Sequence, residues 1–510
     1  MSNKQEGFVL TWVISIMLAL SIIISAALSV IYLNIGTAIN NTASQSALNI
    51  SEAGINYYLW HLSHNATDFK DGKTTPTTPD ANLGYGPYVH DYYDDNGVKT
   101  GTYTLWIKPK GFGSTVATVR SIGQTLNGGT TRTIQADIGA PSFSKYGLAA
   151  NVEVWFGDGE AAKGPVHSNI GVVMDGTNDS DVTSTNATYS SGFFGGTRNG
   201  VWCRSSGSYS NSAYCASRNK TSWRYPVSNV DFAGLVADRC TLKLKAFNDY
   251  ASTQAQATGA NPCNNVPNTR TNAYVPRYSS TGAFNSNNGY LMELNSDTTY
   301  NLWRVSNQVY QGGSSYSHPY SNALTRTLVA NNIAIPPSGV IFVEDNLWVR
   351  TNSVFSGRVT IVAARQADAN NANIIIADDV EYSTQNGQDV IGLISEKDIL
   401  IAPYAPPRPT DSTGYPFKVQ AAAIASTGSV KLPSTFLGRN LPTWNNSNKK
   451  LDFYGSIVTN STWTWSYTSG IGFYYNTTGY DYNLLYAPPP HFPVTSTYDI
   501  LSWREVLTTP

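Results

Sequence analysis

Charge is scarce in this chain of 510 residues: only 13% of positions are Asp, Glu, Lys or Arg. Lys and Arg total 33 against 34 for Asp and Glu, so no basic field exists to hold a polyanion, and nucleic acid is not an expected partner. Cysteine occurs four times, without a Cys-x-x-Cys pair and with no His between Cys203 and Cys263, which weakens a zinc reading. No Gly-x-Ser-x-Gly elbow, phosphate-binding loop or His-Glu-x-x-His sequence is present. The expectation is a protein that is not an enzyme, with no cofactor, no metal and no catalytic residue. What is abundant is Gly, Ser, Thr, Asn and Tyr, a composition suited to twisted sheets with polar faces and many turns.

Charge is missing altogether between Glu6 and Glu52, and within that gap Phe8 to Leu33 is a 26-residue run interrupted only by Thr and Ser. As a helix this run extends roughly 39 Å, enough to cross a bilayer with tilt. Lys4 and the amino terminus lie on its short side, so the positive-inside rule keeps residues 1–7 cytoplasmic and sends the remainder outward. Beyond the run, Ala43, Ala47, Ile50, Gly54, Tyr57 and His61 recur at steps of three and four, so the helix is expected to continue and to become amphipathic where it leaves the membrane. Ser21, Ser25 and Ser29 share one face, a track of small residues that lets another membrane helix approach closely.

The leader Lys4-Gln5-Glu6-Gly7, then Phe8 and the apolar helix, resembles the class III signal of type IV prepilins. Ser51-Glu52-Ala53-Gly54-Ile55-Asn56-Tyr57 resembles the corresponding stretch of the PilX-like minor pilins. The resemblance implies cleavage between Gly7 and Phe8 by a prepilin peptidase, with other pilins and the pilus assembly machinery as partners. It also implies a single-pass membrane protein with an extracytoplasmic ectodomain. Shaft pilins carry Glu five residues into the processed chain, where Trp12 stands here. A carboxylate in the apolar layer costs about 2 to 3 kcal/mol unless paired. Subunits without it resemble those that begin a filament, so the expected place is a pilus tip, with assembly initiation or adhesion to a surface glycan or protein receptor as the role.

The expected fold class is α+β: a pilin helix over 8–65, spanning over 8–33, followed by a β-meander within 66–140. Its strands are Gly101 to Lys108, Ser114 to Gln124 and Thr130 to Ile138, with 66–100 as a connecting loop. Residues 141–337 read as an irregular β-rich domain with one helix from Phe232 to Tyr250. It holds Cys203, Cys215, Cys240 and Cys263, an even count spaced for two short-range bridges in an exported chain. The pairing that closes the shortest loops joins Cys203 to Cys215 and Cys240 to Cys263, with free thiols as the alternative. Residues 338–510 carry short apolar strands with polar corners, such as Ile341-Phe342-Val343, Ile374-Ile375-Ile376 and Ile399-Leu400-Ile401, a texture that suits a parallel β-solenoid; a β-sandwich is the alternative.

Three clusters bear on chemistry. Glu153, Asp158 and Glu160, followed by His167 and Asp175, could form a hairpin turn, bind calcium or serve as paired carboxylates. His61 and His64 have a metal-compatible spacing without an evident third ligand. The aromatic tail from Trp463 to Tyr486 would either cap the solenoid or stack on sugars and protein partners. A membrane-tethered carbohydrate-binding or carbohydrate-active protein is the competing function; Asp378 and Asp379 are adjacent acids in the solenoid region, with no obvious basic partner.

Overall fold

The computed structural model describes residues 6–65, 68–73, 78–109, 116–126, 130–204, 215, 218–248, 263, 266, 269–278, 287–308, 324–365, 372–402, 416–436, 439–440, 450–467, 471–473, 475–485, 487–494 and 498–507. The chain divides into two compact units. One comprises Met1–Gly111, Val116–Ala140 and Ser496–Pro510, the other Phe112–Thr115 and Pro141–Thr495. The boundary expected at 337/338 therefore falls inside the second unit.

The first unit is built on helix α1, Glu6–His64. Its hydroxyls are compatible with an apolar span because they bond to the helix itself: Ser15 donates to the Thr11 carbonyl and Thr37 to that of Leu33. Side chains from Val9 through Ile39 are exposed, whereas Ala47, Ile50, Ser51, Ile55, Tyr58 and Leu62 are buried. That second set recurs at helical spacing and lies on an antiparallel sheet of β1 (Tyr85–Tyr93), β2 (Lys99–Lys108), β3 (Val116–Thr125) and β4 (Thr131–Gly139). Leu105, Ile107, Val119, Ile134, Ala136 and Ile138 supply the sheet's buried face. Ser51 Oγ donates to the Ser121 carbonyl and accepts from the Ile134 amide, tying the helix to two strands.

Two departures from the expected meander enlarge this sheet. Residues 85–93 belong to an edge strand rather than to a loop; Gly86-Pro87 and His90-Asp91 interrupt its apolar pattern, and pairing with β2 supplies the order that its composition does not. At the other edge, Asp499–Val506 pairs antiparallel with β4, and Glu505 forms an ion pair with Arg132. The end of the chain thus completes the first unit instead of the second.

In the second unit a sheet of eleven strands takes two separate runs of chain. Leu148–Ala150, Val166–Ser168, Val182–Ser184 and Trp223–Arg224 add in parallel in one direction. Tyr274–Val275, Val340–Val343, Arg358–Ala363, Val390–Ser395, Phe417–Ala425 and Lys450–Thr459 add in parallel from the far end, and Tyr475–Tyr480, the eleventh strand, pairs in parallel with Lys450–Gly455 off this path. The runs meet where Ile457–Thr459 pairs with Leu148–Ala150. Between these strands the chain visits other sheets. Val154–Phe156, Val172–Met174 and Val201–Trp202 form a three-stranded parallel sheet, and Asn346–Thr351, Ile374–Ile376, Ile399–Ile401, Val430–Lys431 and Trp463–Thr464 lie parallel within an eight-stranded one. The remaining three strands of that sheet, from Gly289 to Ala334, pair antiparallel with one another. The architecture is α+β with several sheets.

Stacked amides cross the join. Asn169 Nδ2 donates to Asn151 Oδ1 at 2.7 Å, and Asn151 Nδ2 to Asn460 Oδ1 at 2.9 Å, satisfying corner groups that would otherwise be left unpaired. Helix α2, Phe232–Asn248, is capped by Asp231, which accepts from the amides of Ala233 and Gly234. It packs on Tyr274–Val275 and Val340–Val343 through Leu235, Leu242, Ala246 and Phe247. Two buried cations on this helix, Lys243 and Arg239, pair with Glu344 and Glu396 at the ends of neighbouring strands.

Candidate functional site

The acids noted between positions 153 and 175 do not converge. Asp158 is exposed, 3.6 Å from Arg218, and Glu160 closes its own turn by accepting from the Gly157 amide at 2.7 Å. Burial holds the Glu160 carboxyl above its ordinary range, with the Gly157 amide working against it. His167 lies between Thr183 Oγ1 and Asn169 Oδ1, each at 2.9 Å, and burial pushes its imidazole below the usual value, so it is a neutral packing residue at pH 7. Asp158-Gly159 makes a tight corner in which Gly159 has φ of 84°, a conformation that favours glycine.

Glu153 and Asp175 instead organise the outer face of the three-stranded sheet. Trp155, Val173 and Trp202 are register partners across its strands, while their neighbours Val154, Phe156, Val172 and Met174 enter the core. The hairpin Thr188–Ser190 to Thr197–Asn199 brings its tip to this aromatic row. Phe194 sits edge-on to Trp155 at 5.1 Å and to Trp202 at 6.1 Å. Glu153 holds the tip with four hydrogen bonds, accepting from Tyr189 Oη and Ser191 Oγ at 2.7 Å and from the amides of Gly192 and Phe193 at 2.7 and 3.2 Å. Burial and this carboxylate raise the Tyr189 phenol, which stays protonated and accepts from Trp202 Nε1.

The fully buried Asp175 accepts from Trp155 Nε1 and from the backbone amide of Arg204, whose guanidinium lies over Trp155 and Phe194. Arg198 lies over Trp202 at 4.7 Å. The result is a rigid aromatic platform flanked by guanidinium groups, with Phe193 51% exposed beside it. Sequence reasoning passed over it; the available signal was Phe193-Phe194 set between glycines, two costly rings in a segment otherwise free to be polar.

The other sites noted in the sequence serve packing. His61 Nε2 is 3.1 Å from Asp68 and His64 Nδ1 is 2.8 Å from the Trp60 carbonyl, so the two rings have different partners. Among the described residues no group of three or more His, Cys, Asp or Glu is placed to hold a metal. Asp378 is 3.8 Å from Arg350, and Asp379 accepts from the Lys418 amide. In the tail, Trp465, Phe473 and Tyr480 are buried; Trp463 lies 5.3 Å from Phe156, at the join of the two runs rather than over a free end. The backbone of Gly7 and Phe8 lies in the first turns of α1. Ser21, Ser25 and Ser29 are exposed on the helix, with Ser21 donating to the Leu18 carbonyl and Ser29 to that of Ser25.

Cys203 pairs with Cys215 and Cys240 with Cys263, at Cα separations of 5.7 and 5.6 Å. Replacing both cysteines of the second pair by serine is expected to lower stability by about 3 kcal/mol, because the bridge constrains the chain that follows α2. Non-reducing peptide mapping with a denaturant titration checks this; crossed pairs in the map would defeat it.

These features define an α+β protein with one helix, among the described residues, long and apolar enough to cross a membrane. No protein-family model matches the chain, and no curated protein matches it. Among solved structures, the competence-associated pilin ComZ from Thermus thermophilus aligns over 91% of this chain and 98% of its own, at 12% identity and a TM-score of 0.28, a level that carries no assignment.

Proposed function

We propose that this chain is a minor pilin of a type IV pilus or related filament, a non-enzymatic subunit of the PilX-like kind that stands at the tip and acts in assembly initiation or surface adhesion. The observation that carries this reading is α1 itself: one continuous helix whose charge-free first part is exposed to its surroundings and whose last part is packed on an antiparallel sheet. Such a helix can serve as membrane anchor before assembly and as filament core afterwards. Its partners are other pilins, the assembly machinery and prepilin peptidase, with the ectodomain outside the cell and bearing a glycan or protein receptor site. The alternation of parallel strands between sheets in the second unit supports reading it as a coiled β-solenoid stalk or head.

Two features support tip placement. The large part of the chain beyond the helix is expected to crowd a subunit repeated along a shaft, and Trp12 cannot offer a carboxylate to a neighbour's amino terminus. Amino-terminal mass spectrometry of membrane fractions is expected to find the chain beginning at Phe8 when peptidase is active. An intact Met1 under those conditions removes the pilin reading. Immunogold labelling of sheared filaments is expected to mark one end, and regular labelling along the length would count against the tip.

A further inference from the structure

We infer that the closing strand of the first sheet, Asp499–Val506, is a conformational reporter: it stays docked on β4 only while the second unit is folded, so unfolding of that unit opens the sheet edge of the unit that carries α1. The coupling rests on chain topology and is independent of the pilin reading.

Three observations carry it. First, the strand is weakly held by its own surroundings. Most of its side chains are exposed, Ile500 at 36% and Trp503 at 47% among them, and beyond the ladder to β4 it is tied by the Arg132–Glu505 ion pair and by Ser502 Oγ donating to Asp137 at 2.7 Å. A strand with so little burial opens at low free energy. Second, the two connections to the second unit are stitched together inside that unit. Ser142 and Val494 form an antiparallel bridge, and the Pro493 carbonyl accepts from the Phe143 amide at 3.0 Å and from Ser142 Oγ at 3.1 Å. Third, the exit is laid on the folded sheet. Arg358 donates to the carbonyls of Ala487 and Pro488, Thr360 Oγ1 donates to that of Pro490, and a Cβ on Gly392 would lie 2.7 Å from Pro489. These groups come from Arg358–Ala363 and Val390–Ser395, which are paired neighbours, so the exit has its seat only when the sheet has formed. Loop-closure entropy turns that seat into a coupling. With the second unit folded, about six residues outside the stitch close the gap between β4 and the strand; with it unfolded, about 360 must do so, and the docking equilibrium falls on the order of several-hundredfold.

The test is hydrogen exchange read by mass spectrometry on the full chain in detergent micelles, across a urea series. Asp499–Val506 is expected to lose its protection at the urea midpoint where Arg358–Ala363 and Val390–Ser395 lose theirs, with β2 and β3 still protected. Lys243→Ala, placed in the second unit, should move both losses to lower urea together. Gly392→Val is the second variant: it pushes on Pro489 without touching the first unit, and should move the same two midpoints. A closing strand that stays protected after those strands have exchanged would overturn the proposal, as would a midpoint for it that neither variant moves. Equal movement of β2 and β3 would overturn it as well, since the closure cost acts on the closing strand alone.

Discussion

Gly123→Val is expected to destabilise the first unit by about 3 kcal/mol or more, although valine has the higher strand propensity. A Cβ at this position on β3 would lie 2.2 Å from the Ala47 carbonyl oxygen and 2.5 Å from the Ser51 nitrogen, both backbone atoms of α1. Backbone cannot rotate aside, so the helix itself must lift from the sheet, and the bonds from Ser51 to Ser121 and Ile134 would be stretched with it. Gly54 makes the reciprocal approach from the helix side, where an added Cβ would meet Ser121 Oγ at 2.3 Å and the Tyr103 ring at 2.9 Å. Gly36→Ala is the control: nothing lies within 4 Å of its Cβ, and the change should leave the unit's unfolding midpoint unaltered. Hydrogen exchange on β2 to β4 in the full chain reads the outcome. Native-like protection in Gly123→Val would refute the close-contact argument.

Lys243→Ala is expected to cost the second unit about 3 to 5 kcal/mol. Lys243 is only 2% exposed and pairs with Glu344, which also accepts from Tyr274 Oη at 2.8 Å and has the Arg277 Nε 3.9 Å away. Removing the ammonium leaves a carboxylate in low-dielectric surroundings with one neutral donor and the Arg277 guanidinium at the edge of ion-pair range. The double variant Lys243→Met, Glu344→Gln should recover most of the loss, because an uncharged pair of similar volume avoids the cost of burying charge and the introduced amide oxygen can still accept from Tyr274. A thermodynamic cycle over the two single variants and the double variant, followed by denaturant titration, measures the coupling. A single-variant loss below about 1 kcal/mol would mean that water reaches this pair and that α2 is held by its apolar face alone.

The pair also separates what is local from what is not. Amphipathic spacing from Phe232 to Asn248 makes α2 legible in the sequence, but Lys243 and Glu344 are one hundred and one positions apart and nothing in either neighbourhood pairs them. The same holds for the candidate site. Glu153 was conspicuous as an acid near Asp158 and Glu160, yet its partners, from Tyr189 to Phe193, are supplied by a hairpin that only tertiary packing brings over the sheet.

Sequence alone determined the elements whose cause is local. The charge-free run made α1 a helix fit for a bilayer, since intrahelical bonds are the only partners available to its backbone there. Alternation of apolar and polar residues set the inward faces of β2, β3 and β4, because side chains of a strand point to opposite sides. Tertiary structure decided everything that depends on which distant strand completes an edge. It assigned Tyr85–Tyr93 and Asp499–Val506 to the first sheet, joined Ile457–Thr459 to Leu148–Ala150, and turned scattered acids into supports for an aromatic platform. Backbone hydrogen bonds have the same chemistry in every strand, so composition names a strand but not its neighbour; that choice belongs to the packing of the whole chain.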